Sequence, residues 1–476
     1  MPAGSEYEKT ALDNGIQVIS ETIPYLRSVT VGFFYRVGSQ DEAPAENGYS
    51  HALEHLMFKG TPTRSAQEIA ELFDNIGGQL NAFTTKEFTC YYARFLDEHF
   101  PLAMDALTDM LCHATFPPDE VEREKNVILE EIKMYKDDPE EVAHDLFLRH
   151  LLGRDSLGQT VLGPARNMQR LTREKVIAFR DRHYTPDRLL VAAIGQVSHA
   201  RLVDEVARAF GDLPRGDQTN SDARRPTIRP DCTPSSSSGL VSSQSSSSAS
   251  RTPATPRWLY RRRRGAQVQL IVGGLALNRT DPRRFALLLL DTALGGGVSS
   301  RLFQELREKR GLVYSTYSFH SLFEHLGVWG VYAAATPAAM GQVVGVLQDI
   351  LEDVAQHGIT ADELERARAQ VKGSYVLGLE NPSNRMGEAA RAELFYRQRW
   401  DPDAWLREVD SVTVEEVQSL AAQLLTPSAW SVVALGPAAG EDPVLQGVAG
   451  VCSRPTAARL PSDPWAGTTA AAARIG

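Results

Sequence analysis

"GYSHALEHLMFKGT", residues 48–61, sets two histidines and a glutamate within five positions of an otherwise apolar stretch. On a helix His51 and His55 stand one turn apart, about 40° from each other around the axis, with Glu54 about 60° from His51 on the other side. All three side chains therefore point at one small volume. Two imidazoles at i and i+4 form a ready pair of zinc ligands, and a glutamate beside them can activate a water without occupying the metal. The order His-x-x-Glu-His, the inverse of the commoner His-Glu-x-x-His, is one of the zinc peptidase motifs. The alternative is two ordinary histidines, surface or core, beside a solvated acid.

Catalytic zinc takes three protein ligands and leaves the fourth position to water, so the motif requires another buried acid. The stretch "DEVEREKNVILEEIKMYK", residues 119–136, supplies candidates. Its apolar stripe runs through Val121, Ile128, Ile132 and Tyr135, and Glu124 and Glu131 both fall beside that stripe, about 20° apart. Glu122 and Glu130 project away from it. A charge beside a buried stripe is costly unless it is paired or bound to metal. Glu131 is read as the third ligand and Glu124 as the carboxylate that orients a ligand histidine. The alternative is a pair of acids at the edge of an amphipathic helix, neutralised by nearby Arg or Lys.

Around these two helices the chain reads as α+β. "SVTVGFFYRVGS" (28–39) alternates like a strand, and "SAQEIAELFDNIGG" (65–78) has Ile69, Leu72, Phe73 and Ile76 at helical spacing, Ser65 as N-cap and Gly77 as stop. "QLNAFTTKEFTCYYARF" (79–95) reads as a strand. Helices are expected from about Pro101 to Ala114 and from about Pro118 to Lys136. The second half repeats the order: strand "AQVQLIVGGLAL", helix "DPRRFALLLLDTAL", a Gly-rich turn, helix "SSRLFQELREKR", strands around "GLVYSTYSFHSLFEHLGVWGVYAAA", and helix "PAAMGQVVGVLQDILEDVAQHG". Two related α+β units account for the repetition.

The expected division is a catalytic unit over 1–225, a Ser/Pro-rich linker over 226–262, a second unit over 263–436 and a tail over 437–476. The linker follows from "TPSSSSGLVSSQSSSSASRTPATP" (233–256), which has too few large apolar side chains to offset its ordering entropy. The run Arg261–Arg264 reads as the solvated end of that linker, with an anionic surface as its other reading.

With 476 residues and 42% apolar content, the chain is long enough for two cores, and its formal net charge of -10 argues against nucleic acid as a partner. No window approaches eighteen apolar residues, so no membrane span is expected, and the N-terminus lacks signal-peptide and transit-peptide patterns. A cytoplasmic location is the expectation. Cys90, Cys112, Cys232 and Cys452 have no paired spacing and read as free thiols, two of them in the core.

These motifs together resemble the pitrilysin/insulinase family of zinc peptidases, in particular its shorter members of the mitochondrial processing peptidase and bacterial processing protease type. The resemblance rests on "GYSHALEHLMFKGT", "GGQLNAFTTKEFTCYYARF", "EREKNVILEEI" and, in the second half, "LGGGVSSRLFQELREKRGLVYS". It runs from roughly residue 7 to 436, the linker excepted. It implies two similar units, each an antiparallel sheet of about six strands with helices mainly on one face, enclosing a chamber.

It further implies one zinc ion per chain on His51, His55 and Glu131, with Glu54 as general base. An extended peptide would pair along Asn81, Ala82, Phe83 and Thr84. Arg307 and Tyr314, which alone would read as a helix-end Arg and a strand Tyr, match the family's substrate-contacting pair, and Gly295–Gly297 its glycine-rich loop. The long Ser-rich insertion departs from the family. The implied activity is a zinc metalloendopeptidase acting on extended or unfolded peptides, and a homodimer is the expected assembly because the chain is half the length of the family's single-chain members. The alternatives are a non-catalytic structural subunit of the same fold and a dedicated processing peptidase in a hetero-oligomer with a related, zinc-lacking chain.

Overall fold

The computed structural model describes residues 5–216, 258–427 and 430–437. The expected linker up to residue 257, the tail from 438, Cys232 and Cys452 lie outside the described residues. Cys90 is buried and Cys112 half-buried, both as free thiols.

The first half opens with strands β1 (Glu6–Ala11), β2 (Gln17–Thr22) and β3 (Ser28–Tyr35), followed by helices α1 (Tyr49–Met57) and α2 (Ala66–Asn75). A hairpin of β4 (Gln79–Thr84) and β5 (Thr89–Leu96) leads to α3 (Phe100–His113), α4 (Pro118–Asp137) and α5 (Pro139–Leu152). Then come α6 (Ala165–Gln169), α7 (Arg173–His183), β6 (Leu189–Gly195) and α8 (His199–Phe210). Ser65 caps α2 in a reciprocal pair with Glu68, as its position before the apolar run predicts. Residues 79–95 form two strands and not one. The break comes at Thr85, whose hydroxyl donates to Phe88 O and accepts from the amides of Glu87 and Phe88, a turn made by a side chain with no Gly or Pro to signal it.

The second half runs β7 (Trp258–Arg262), β8 (Val268–Ala276), α9 (Arg284–Gly295), a π-helical turn (Phe303–Glu308), β9 (Ser315–Leu322) and β10 (Gly327–Ala335). It continues with α10 (Pro337–His357), α11 (Ala361–Gly378), α12 (Pro382–Arg391), α13 (Pro402–Ser411), α14 (Val414–Leu424) and β11 (Ser431–Gly436). Strand β7 corrects the sequence reading, which assigned residues up to 262 to the linker. Trp258 and Tyr260 pack on the core, the Tyr260 hydroxyl donates to Gly436 O, and β7 pairs in parallel with β11. Arg263 is no solvated linker end either: its guanidinium donates to Lys136 O and Asp137 O at the end of α4.

The sheets have the orders β1-β2-β6-β3-β5-β4 and β7-β11-β8-β10-β9. Apart from β1, each strand of the first sheet has a counterpart in the second. Both are mixed, mainly antiparallel with one parallel pair each, where the sequence reading expects antiparallel sheets. β6 inserts between β2 and β3, which run in opposite directions, so it must lie parallel to one of them, and β11 does the same between β7 and β8. The second sheet has five strands and the first six.

Strands β3, β6, β8, β10 and β11 are buried almost throughout, which requires cover on both faces. One face of the first sheet meets its own helices: Val29, Val31 and Phe33 join Leu53, Leu56, Met104 and Ile128 in one core. The opposite face is covered by the other half, with Phe34, Cys90 and Leu190 against Met386, Ala389 and Ala390 of α12 and against Trp400. The second sheet is treated reciprocally: Ile271, Tyr332 and Val433 bury Ala143 and Phe147 of α5. On the corresponding strands β3 and β8, glycines admit these crossing helices. A Cβ on Gly32 would lie 2.8 Å from Met386 Cε, and one on Gly273 2.8 Å from Phe147 Cζ.

Candidate metal centre

Helix α1 packs between the first sheet and α4. Ala52, Leu53, Leu56 and Met57 fill the core, which turns His51, Glu54 and His55 toward α4 and the end of β4. The helix begins at Gly48, whose φ of +99° suits a residue without a Cβ; a Cβ there would come within 2.6 Å of Leu162 O.

On α4 Glu124 is buried and Glu131 half-buried, while Glu122 and Glu130 are exposed, as the helical periodicity requires. Glu131 Oε1 lies 3.7 Å from His51 Nε2 and Glu131 Oε2 3.6 Å from His55 Nε2. One donor atom from each of the three residues lies within 4.8 Å of the others, and among the described residues this is the one such group. Ligand atoms on a tetrahedral zinc at about 2.0–2.1 Å stand about 3.4 Å apart, so the spacing is too long for hydrogen bonds and close to that of a zinc ligand set. Glu131 Oε2 and His51 Nδ1 are buried without a hydrogen-bond partner. The residues present fit a zinc ion.

The protonation states agree with that use. Burial, and then the neighbouring His55, push the His51 imidazole down to about 3, so its ring is neutral and offers a lone pair. His55 Nδ1 lies 3.1 Å from Glu124 Oε2; a carboxylate accepts, so Nδ1 carries the proton and Nε2 is left basic toward Glu131. Burial raises the Glu54 carboxyl, while the Thr84 hydroxyl, donating to Glu54 Oε2 at 2.5 Å, pulls it back toward ionisation.

Lys59 escapes the sequence reading by name. Its Nζ sits 2.6 Å from Glu124 Oε1, so Glu124 is held by a lysine and a histidine together. Lys59 lies just past the end of α1, two residues beyond Met57, and no helical spacing signals it. Glu131, by contrast, has no lysine or arginine partner among the described residues, and its carboxylate oxygens approach the two imidazoles. Glu42, also unsignalled, accepts from the amides of Gly48 and Ser50 at the start of α1.

Strand β4, holding Asn81, Ala82, Phe83 and Thr84, is the edge of the first sheet, paired to β5 alone, with alternating exposure and Phe83 41% exposed. Thr84 ends it directly at Glu54. Arg307 and Tyr314 form a separate pair, with the guanidinium 5.9 Å from the Tyr314 ring centroid and 5.0 Å from that of Phe303. Tyr314 is 75% exposed. Among the described residues neither is hydrogen-bonded or ion-paired to the histidine–glutamate cluster. The helix expected over residues 299–310 is π-helical at Phe303–Glu308, a widening that recurs at functional sites. Gly295–Gly297 close α9, with Gly296 O accepting from Gln370 Nε2.

Two linked α+β units with a His-x-x-Glu-His helix against a glutamate helix define an insulinase-type arrangement. The family model for the insulinase domain (peptidase family M16) matches residues 17–165, and that for the peptidase M16 inactive domain matches residues 170–371. An uncharacterized zinc protease of Streptomyces coelicolor is 42% identical over 422 residues, 88% of this chain and 87% of that protein. The Bacillus subtilis protein YmxG, also described as a zinc protease, is 37% identical over 414 residues, 87% of this chain and 94% of that one. A peptidase M16 inactive domain from Pseudomonas fluorescens has the same fold, with a TM-score of 0.78 at 20% identity, covering 92% of this chain and 99% of that one. The chain belongs to the M16 (insulinase/pitrilysin) family of zinc proteases, with both its N-terminal and C-terminal domains present. The second family segment begins before β6, which nevertheless completes the first sheet.

Proposed function

We propose that the protein is a zinc metalloendopeptidase acting on extended or unfolded peptides. The observation that carries the reading is the gathering of His51, His55 and Glu131 donor atoms within 4.8 Å, with Glu54 alongside and hydrogen-bonded to the end of an edge strand. His51 and His55 through Nε2, and Glu131 through its carboxylate, would hold one zinc ion per chain. When bound, zinc supplies a Lewis acid that polarises a carbonyl and acidifies a water molecule. Glu54, its Oε2 anchored by Thr84, takes the water's proton on Oε1 and hands it to the departing amine. Glu124 orients the His55 ring through Nδ1, and Lys59 holds Glu124 in place.

The main chain of Asn81–Thr84 would pair with the substrate as an added strand, which selects extended backbone and delivers the scissile bond to Glu54. Arg307 and Tyr314 would hold the substrate backbone or the developing oxyanion. Both are exposed, which favours a second copy of the chain as the surface they face, the two copies enclosing a chamber. The complete donor set weighs against a non-catalytic scaffold.

The test is elemental analysis of purified protein together with cleavage of a quenched unstructured peptide. About one zinc per chain and cleavage abolished by a chelator and restored by zinc are expected. Chelator-insensitive cleavage, or zinc retained after His51→Gln and Glu131→Gln together, would overturn the assignment. Native mass measurement decides between one copy, two copies and a mixed assembly.

A further inference from the structure

We propose that the segment Gly38–Glu42 is a strut that fixes the metal-binding helix α1 relative to the peptide-pairing strand β4, and that Glu42 is its positioning residue. The inference rests on the reading of His51, His55 and Glu131 as the metal ligands and concerns what holds them in register.

The strut is fastened at both ends. At one end Ser39 N donates to Thr85 O and Gln40 N to Lys86 O, at 3.2 and 2.9 Å, in the turn that directly follows β4. At the other end the Glu42 side chain, only 3% exposed, reaches the first turn of α1. Its Oε2 accepts from Gly48 N at 2.7 Å and from Asn47 Nδ2 at 2.9 Å, and its Oε1 accepts from Ser50 N at 2.6 Å. A cross-tie closes the frame: Lys86 Nζ donates to Gln159 O, and Gln159 Nε2 donates to Glu42 O.

A helix start needs acceptors for its first amides; Glu46 O takes that of Tyr49, but the glycine N-cap has no side chain to take that of Ser50. A distant carboxyl supplies them; burial raises its pKa to about 7, while the hydrogen bonds from Asn47, Ser50 and Gly48 favour its ionised form. The Ser50 amide is one residue from His51, so the Glu42 bonds set the rotation and axial position of α1 where its first ligand begins. The same strut sets where β4 ends, and there Thr84 meets Glu54. A local Ser or Asp cap would satisfy the amides equally well, but it would not tie the helix to the strand. That difference separates positioning from capping.

The test uses the full chain with Glu42→Gln, which is nearly isosteric but turns one N–H₂ group against an amide donor. Should it fail to fold, Glu42→Asp, which keeps the charge and loses the reach, takes its place. Wild-type zinc affinity is measured first, by competition with a chromogenic chelator, followed by the visible spectrum of the cobalt(II)-substituted protein. The variant is expected to melt cooperatively, to bind zinc about 10–100-fold more weakly and to show a shifted cobalt band. At saturating zinc its kcat should fall at least about tenfold, a loss of similar size, with KM nearly unchanged. An unchanged zinc affinity and cobalt spectrum in the folded variant would overturn the proposal, whatever happens to its melting temperature. A wild-type chain that binds zinc but cleaves no peptide would sink the peptidase reading alone, whereas one that binds no zinc would sink both.

Discussion

The two halves place corresponding helices after corresponding strands and fill them with opposite chemistry. In the first, α1 follows β3 and turns His51, Glu54 and His55 toward Glu124 and Glu131 of α4. In the second, α9 follows β8 and buries Phe285, Leu287, Leu289, Leu290 and Leu294, with Leu364, Ala367 and Val371 of α11 in the same core. The second half shows that this architecture folds on an apolar seam alone. The polar seam of the first half is therefore no requirement of the fold, and burying acids and imidazoles there works against stability. Even the contact from helix to edge strand is matched: Glu54–Thr84 in one half, Asp291–His320 at 2.6 Å in the other.

The sharpest way to break this contrast is Glu54→Gln. Peptide cleavage should fall by about 10²–10⁴-fold with zinc content unchanged by elemental analysis; retained cleavage would leave the polar seam without its base. In the apolar seam Leu290→Ala should lower unfolding free energy by about 2–5 kcal/mol in a denaturant titration and leave zinc affinity alone. A parallel loss of zinc binding would mean the seams are not independent.

Glu124→Gln should weaken zinc binding by about 10–100-fold in chelator competition, since His55 loses the acceptor that fixes its tautomer. Thr84→Val tests the pH behaviour. As the proposed base Glu54 would act in its ionised form; burial already holds its pKa above the usual carboxylate range, and the Thr84 hydroxyl stabilises the ionised form. Removing that hydroxyl raises the pKa further, so the acid limb of kcat/KM must move to higher pH. A limb that stays, or moves down, assigns it to another group. The smallest effect is expected from His320→Gln, for which zinc affinity should match wild type, because the Asp291–His320 contact lies in the half without the ligand set.

What the sequence disclosed about this site follows from periodicity. His51, His55 and Glu131 are legible because a helix converts spacing into direction, and acids beside a buried stripe stand out as anomalies. Lys59 could be foreseen only as a generic neutralising base. Glu42 could not be foreseen at all, because it acts on backbone amides across an irregular loop and no side-chain pattern records that. Arg307 and Tyr314 enter through resemblance alone, since a helix-end Arg and a strand Tyr carry no local signal.

The fold shows the same limit. The helices α4 and α10 follow from their stripes, but nothing local says that α5 and α12 cover the opposite half's sheet. β7 escaped because a parallel edge strand ending in arginines looks like solvated chain, and its partner β11 is far along the sequence.

The exchange of α5 and α12 bears on what could survive alone. A fragment ending before residue 217 would carry α5 with Ala143 and Phe147 uncovered and would leave Phe34 and Leu190 bare, and the complementary fragment would have the mirror-image defect. Each piece would be sticky by itself and soluble only when made beside its counterpart, so a nicked polypeptide should stay associated and a separately produced half should precipitate.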